Sequence, residues 1–333
     1  MKIAIMGAGA LGGSFGFLLA EAGSDVTLVD VDQAKIDALR REGLTLVMPD
    51  GSRRHRPIKA TTRPDEVGVV DLVQISVKGY HTSAAAELAR PLVGSDTYVL
   101  SLQNGLKNLQ RISAVLPDAK VVGGVTGYSA MPLGPTTIRF SPSAAGITLG
   151  RYDGSEDSGL EHVAATFAAA GLETHLAHGD IREPIWRKLL ANVSVNAVAA
   201  LTGLTGREIQ EIEPAERLVR ALAQETAAVA RAQGFTFAEL ETADDWVIAT
   251  LDWVGDNKVS MLQDMENGRR TEIDTLNLAV VERGEHYGVD TPLNWVIGLL
   301  VQIREQKVLR DRQAAGEASR PQLRVAGGGQ SGV

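Results

Sequence analysis

Three glycines stand near the amino terminus in Gly7-Ala8-Gly9-Ala10-Leu11-Gly12, the spacing G-x-G-x-x-G. Gly7 permits a tight turn, Gly9 lets the backbone approach a pyrophosphate, and Gly12 lets a helix pack closely on a strand. Such a turn is informative only between a strand and a helix. Met1 to Met6 reads as a short buried strand and Ser14 to Ala22 as a helix. The N-terminus of that helix would offer free N–H groups and a positive dipole end to phosphates. Asp25 to Asp30 reads as a second strand ending in an acid, at about the separation expected of a ribose-binding carboxylate. Together these features predict a dinucleotide site.

A second stretch, Trp186 to Asn196, puts Lys188, Asn192 and Asn196 at i, i+4 and i+8, on one helical face. A polar row of this kind fits a solvated face. It also fits a buried helix whose polar groups need partners, because the residues from Asn192 to Ala200 are otherwise almost all apolar. A third stretch, Ser260 to Asp274, carries Ser260 and Glu272. On one straight helix these two would stand about 18 Å apart, too far for one small metabolite to bridge. Asn267-Gly268 can end a first helix, and Thr271 with Asp274 resembles the capping pair of a second. That turn would bring Ser260 and Glu272 to one pocket. Glu272 would then sit in a first helical turn, where the dipole favours its ionised form; ordinary N-terminal helix charge is the other reading. Lys78 and Gln103-Asn104-Gly105 each follow a predicted strand at its carboxyl end, where open α/β sheets gather ligands. A solvated strand end and a plain Asn-Gly turn are the bland alternatives.

The elements that must position these residues fall into two kinds. Up to residue 179 strands alternate with helices and then give way to strands alone: Leu44–Met48, Asp71–Val77, Tyr98–Leu102, Val121–Val125 and Ile147–Gly150. This is the pattern of a doubly wound sheet with an added antiparallel edge. Within it, Pro49 to Ser52 reads as a turn, and Arg53, Arg54, His55 and Arg56 as a solvated hairpin tip. From residue 180 to 320 strand signals stop and helical stretches take over: Leu218–Gln233, Asp244–Leu251, Ile273–Tyr287 and Asn294–Arg310. The expected fold class is therefore α/β, a Rossmann-type domain over 1–179 followed by an all-helical domain over 180–320. The glycine-rich segment 321–333 reads as a disordered tail.

Composition narrows the function further. The chain has 333 residues, 44% hydrophobic and 22% charged, ordinary values for a soluble globular protein. A net charge of −8 argues against general nucleic-acid binding, which needs a basic surface. With no cysteine and only scattered histidines, neither a thiolate zinc site nor another metal cluster is expected. No apolar run is long enough to span a bilayer, and no charged-then-apolar leader precedes the first strand, so a cytoplasmic location is expected.

These stretches, taken in order, resemble the ketopantoate reductase (2-dehydropantoate 2-reductase) family over nearly the whole chain. The matching pieces are Gly7 to Gly12, Val77-Lys78, Gln103-Asn104-Gly105, Trp186-Arg187-Lys188-Leu189 with Asn192 and Asn196, Ser260 to Asp264, and Thr271 to Asp274. No single piece is specific; their order and spacing are. The resemblance implies reduction of a 2-oxo acid to a 2-hydroxy acid by a nicotinamide cofactor held between a Rossmann and a helical domain. It implies Lys188 as the general acid and Glu272 as the carboxylate that binds the substrate's hydroxyl end and helps fix that lysine. It further implies that Asn104, Asn192, Asn196 and Ser260 orient substrate and cofactor, and that Lys78 lies at their junction. A homodimer through the helical half also follows from family habit.

One departure bears on the cofactor. Relatives that use NADPH often carry an arginine just after the second strand, whereas here Asp30-Val31-Asp32 occupies that place and the first arginine is Arg40. A carboxylate there accepts hydrogen bonds from ribose hydroxyls and repels a 2′-phosphate, so NAD(H) is expected over NADP(H). The same departure leaves room for an NAD-dependent D-2-hydroxyacid dehydrogenase of the D-mandelate type. A non-catalytic NAD sensor would have no use for Lys188, Glu272 and the asparagines together.

Overall fold

In the computed structural model, which describes residues 1–318, Lys2–Met6 form the first strand, β1, and Ala10–Glu21 the first helix, α1. There follow β2 (Asp25–Val29), α2 (Gln33–Glu42), β3 (Leu44–Val47), β4 (Arg53–Arg56), β5 (Lys59–Thr61), β6 (Leu72–Ile75) and α3 (Thr82–Ala89). Next come β7 (Tyr98–Ser101), α4 (Asn108–Val115), β8 (Lys120–Thr126), β9 (Ser129–Pro132), β10 (Thr137–Ser141), β11 (Ile147–Arg151), α5 (Gly159–Ala169) and β12 (Thr174–Leu176). The remainder is helical: α6 (Arg182–Thr202), α7 (Gly206–Glu211), α8 (Glu213–Ala232), α9 (Ala243–Val254), α10 (Ser260–Glu266), α11 (Asn277–Tyr287) and α12 (Pro292–Ala318).

Side chains alternate across a strand, and β1 shows what this does here. Ile3 and Ile5 pack with Phe15 and Leu19 of α1 and Phe167 of α5 on one face. Ala4 and Met6 pack with Ala86 of α3 and Ile112 of α4 on the other. A strand buried on both faces suits a parallel sheet covered by helices on each side. The large sheet runs β12-β11-β8-β7-β6-β1-β2-β5. Its strands from β5 to β8 are parallel, β11 is antiparallel to β8, and β12 is parallel to β11. The order reverses between β1 and β6, which makes the carboxyl ends of those two strands the crevice for a ligand. This is a Rossmann-type doubly wound sheet with the antiparallel edge that the sequence suggested.

A second sheet, β4-β3-β10-β9, was not foreseen. It packs against α1, where Gly13 leaves so little room that a Cβ would stand 2.7 Å from Ile138 Cδ1. Its presence corrects the expectation for Arg53 to Arg56, which form strand β4 paired to β3 and not a hairpin tip. The arginines have partners: Arg54 pairs with Glu21, and the Arg54 and Arg56 guanidinium carbons lie 5.9 and 5.8 Å from the Phe17 ring centroid. Long arginine stems cover apolar surface while their heads reach polar groups.

In the helical half, α6 runs through the core, with Leu189, Leu190, Val193 and Ala197 to Ala200 all buried. Around them pack Val219, Leu222 and Ala223 of α8, Met261 and Leu262 of α10 and Val301 of α12. The predicted helix over Ile273–Tyr287 does not form as one piece. A 3-10 turn covers Ile273–Thr275, and α11 begins only at Asn277. Thr271 does not cap it either: its N–H and Oγ1 both donate to Glu305 Oε2 at 2.6 Å. Asp274 accepts instead from Arg270 and Gln302. The segment after 320 lies outside the described residues. Among the described residues no helix is long and apolar enough to cross a membrane.

Candidate active site

The glycine turn builds the first wall. Gly7 holds φ +106°, and a Cβ there would meet Ser76 O at 2.9 Å. At Gly12 a Cβ would come within 2.3 Å of Gly7 O, so side chains at either position are excluded by backbone. Around Gly9 the structure is open, with nothing within 4 Å of a Cβ position. That opening, at the start of α1 where the first N–H groups have no intrahelical acceptor, fits a pyrophosphate. The Asp30 carboxylate follows β2; its Oδ2 accepts from Ala8 N–H at 2.9 Å and its Oδ1 from Asp32 N–H at 3.1 Å. Lys35 Nζ, in the first turn of α2, lies 3.3 Å from Asp30 Oδ2.

From this turn a continuous cleft of about 730 Å³ runs to the helical half. Gly7, Ala8, Gly9, Ala10, Leu11, Asp30, Lys78, Asn104, Lys188, Ser260 and Glu272 all line it. Two predicted residues do so less directly. Gly12 is packed beneath the turn, and Asn192 reaches the cleft through Asn104, its Nδ2 standing 3.5 Å from Asn104 Oδ1. Asn196, a turn deeper on α6, is 4% exposed and stands outside the lining. The break at Asn267 and Gly268 (φ +59°) ends α10 and turns the chain back, so Ser260 and Glu272 share one wall.

Two lysines enter the cleft from different elements and meet opposite surroundings. Lys78 follows β6; its Nζ lies 2.6 Å from Asp264 Oδ2 and 3.4 Å from Glu272 Oε2. Burial opposes its charge, but the two carboxylates outweigh burial and raise its pKa above the usual lysine value. Lys188 rises from the second turn of α6, with Nζ donating to Thr126 O at 2.8 Å at the end of β8. Its side chain is partly accessible through the cleft, while protein surrounds the ammonium. Burial lowers its pKa to about 8, and only the Glu272 charge pulls the other way. Groups whose environments push their pKa values apart mark an acid–base assignment. Lys78 is held as a fixed cation, and Lys188 is poised to exchange a proton near neutral pH.

Glu272, on the helical half, is fixed by the sheet half: Oε1 accepts from Gly79 N–H at 2.9 Å and Oε2 faces Lys78. Asp264, 3% exposed, is held on its other oxygen by Arg269 Nε at 3.0 Å. Gln103 donates to Val77 O at 2.7 Å and Thr82 Oγ1 at 2.9 Å, tying the loop that carries Asn104 to the one that carries Lys78. Three contributors were missed in sequence. The Thr126 carbonyl is a backbone group with no residue-type signal. Arg269 carries no spacing signal of its own, and Lys35 stands on α2, beyond the strand end where a phosphate-pairing arginine is usual. Among the described residues no group of three His, Cys, Asp or Glu is placed to hold a metal.

Residues 3–154 of the chain match the family model described as ketopantoate reductase PanE/ApbA, and residues 180–305 match that for the C-terminal part of the same family. A 2-dehydropantoate 2-reductase of Halobacterium salinarum is 33% identical over 309 residues, covering 92% of this chain and 99% of that one. The crystal structure of a PanE/ApbA family ketopantoate reductase from Ralstonia eutropha superposes with a TM-score of 0.83 at 32% identity, covering 92% and 99%. A ternary structure of D-mandelate dehydrogenase with NADH and anilino(oxo)acetate superposes with a TM-score of 0.86 at 26% identity, with the same coverage.

Proposed function

The chain belongs to the ketopantoate reductase family, and from that premise we propose that it reduces 2-dehydropantoate to pantoate, with Lys188 as general acid. It is a nicotinamide-dependent oxidoreductase acting on a 2-oxo acid. The observation that carries the assignment is the joining of the glycine turn and Lys188 in one cleft, with Lys188 near pKa 8. A bound nicotinamide cofactor supplies the hydride. As the carbonyl carbon becomes tetrahedral, negative charge gathers on its oxygen, which the Lys188 ammonium stabilises and protonates. Lys78 supplies a second, fixed positive charge at the junction. Asn104, Asn192 and Ser260 bind the acid's carboxylate with neutral groups, which adds no further cation to compete with Lys188. Glu272 accepts from the substrate's hydroxyl end and keeps Lys188 from losing its proton too early. Asn196 acts from behind, supporting the α6 row.

An NADH-oxidation screen across 2-oxo acids tests the substrate. 2-Dehydropantoate is expected to give the highest kcat/KM; a bulky aromatic 2-oxo acid winning tenfold would favour the second reading. That reading, a D-2-hydroxyacid dehydrogenase, draws on the carboxylate at Asp30 and the likeness to D-mandelate dehydrogenase.

NADH is the preferred cofactor in this account. Asp30 is held at the ribose end by two backbone N–H groups, and Val31 stands 81% exposed beside it, where a guanidinium would meet a 2′-phosphate. Lys35 offsets part of that carboxylate's charge, so the preference is modest, about tenfold in kcat/KM, or 1.4 kcal/mol. Steady-state kinetics with each cofactor on one substrate measure it; a tenfold advantage for NADPH contradicts it.

The protein works as a homodimer joined through its helical half. On α12, Leu293, Val296, Leu300 and Ile303 repeat at i, i+3, i+7 and i+10, and all are at least 36% exposed. Contiguous exposed apolar surface marks an interaction site. Light scattering should return about twice the 35.4 kDa chain mass, and a monomer at micromolar concentration rejects the dimer.

A further inference from the structure

A second cavity, about 550 Å³, lies between the helical half and the sheet half at the start of α6. Its walls carry polar groups that the reductase reading leaves without a task. Asp180 is taken: it accepts from Arg182 N–H at 2.9 Å and from Arg182 Nε at 2.9 and 2.8 Å. Glu183 pairs with Arg187 at 3.1 Å. Arg283 of α11 also lines the cavity, is half-buried, and makes no ion pair or side-chain hydrogen bond among the described residues. Tyr152 and Tyr287 line the same cavity, near enough to Arg182 to interact with its charge, and neither hydroxyl has a hydrogen-bond partner among the described residues. An unpaired guanidinium in a cavity that two phenols also line offers a recognition set for a carboxylate or phosphate. The volume falls within the range of about 300–1,000 Å³ typical of small-molecule sites, which favour domain junctions.

We infer that this cavity is a binding site for a small organic anion, a carboxylate or phosphate monoester, with Arg283 as its charge partner and Tyr152 and Tyr287 as hydrogen-bond donors. The site is separate from the catalytic cleft but shares walls with it. Gly105 and Leu106 line the cavity next to Asn104 of the cleft, and Ile185 and Trp186 line it within one turn of Lys188. An occupant therefore presses on the elements that hold the acid and the substrate amides.

The inference stands or falls without turnover, so it is independent of the proposed substrate. Calorimetric titration of the full-length protein, saturated with NADH, uses three probes: benzoate, phenyl phosphate and neutral benzyl alcohol. One of the anions should bind and the alcohol should not; the preferred anion distinguishes carboxylate from phosphate. Arg283→Met should weaken that binding about tenfold or more, the scale of a lost charge-assisted hydrogen bond. Tyr287→Phe, a surface change, should weaken it several-fold. Lys188→Ala should leave it intact, because the anion does not enter the cleft. Absence of anion binding at tens of millimolar overturns the inference. So does binding by Arg283→Met and Tyr287→Phe that is undiminished from the unsubstituted protein, or loss of binding in Lys188→Ala.

Discussion

Lys188→Ala is expected to lower kcat for 2-oxo acid reduction by about 10³-fold, or roughly 4 kcal/mol of barrier, while leaving NADH affinity within about twofold. The size follows from the role proposed for the residue. General acid catalysis contributes about 10²- to 10⁴-fold, and here the same ammonium also faces the charge that develops on the oxygen. Lys78 cannot take over, because its proton is held by Asp264 and Glu272 and its pKa is raised. Cofactor affinity is spared because the glycine turn and Asp30 make no hydrogen bond to Lys188; its ammonium donates to Thr126 O. Stopped-flow fluorescence of NADH binding beside steady-state turnover separates the two effects. A protein that loses NADH binding and turnover in parallel would place Lys188 in cofactor binding instead.

Glu272→Gln should have the second largest effect, a fall in kcat/KM of about 10- to 100-fold, the range for losing a hydrogen bond made by a charged group. Glutamine keeps the shape and one acceptor oxygen, so Gly79 N–H retains a partner. The charge is lost, and with it the attraction that opposes burial at Lys188. The pKa of Lys188 must then move below about 8. Because the protonated lysine is the active form for reduction, the alkaline limb of the rate profile shifts to lower pH. A pH profile of the variant measures this, and an alkaline limb that stays in place would show that Glu272 does not act on Lys188.

The parts of this site that were legible in sequence are those written in local spacing. The turn from Gly7 to Gly12 shows because three glycines within six residues answer to backbone contacts, such as the 2.3 Å approach to Gly7 O. The α6 row shows because i, i+4 periodicity puts Lys188 and Asn192 on one face whatever else the chain does. The same row carries Asn196 too deep, since periodicity fixes a face and not where the cleft ends. What stayed hidden is long-range. Lys78 meets Asp264 across 186 residues, and nothing near either of them records the meeting. The second sheet pairs β3 with β10, short strands far apart in the chain, so β4 looked like a solvated tip. The broken start of α11 was hidden for a related reason. Thr271 has the type of a helix cap, but its hydroxyl is claimed by Glu305 from α12.

The central claim is that Lys188 delivers the proton, and the pH dependence of kcat/KM for 2-oxo acid reduction tests it most directly. Measured with saturating NADH from about pH 6 to about pH 10, the rate should be level at low pH and fall through a single inflection near Lys188's value of about 8. Oxidation of the 2-hydroxy acid, which needs the neutral lysine, should rise through the same inflection. Both features should vanish in Lys188→Ala. A reduction rate that stays level beyond pH 9, or an inflection near 8 that survives in Lys188→Ala, would contradict the account.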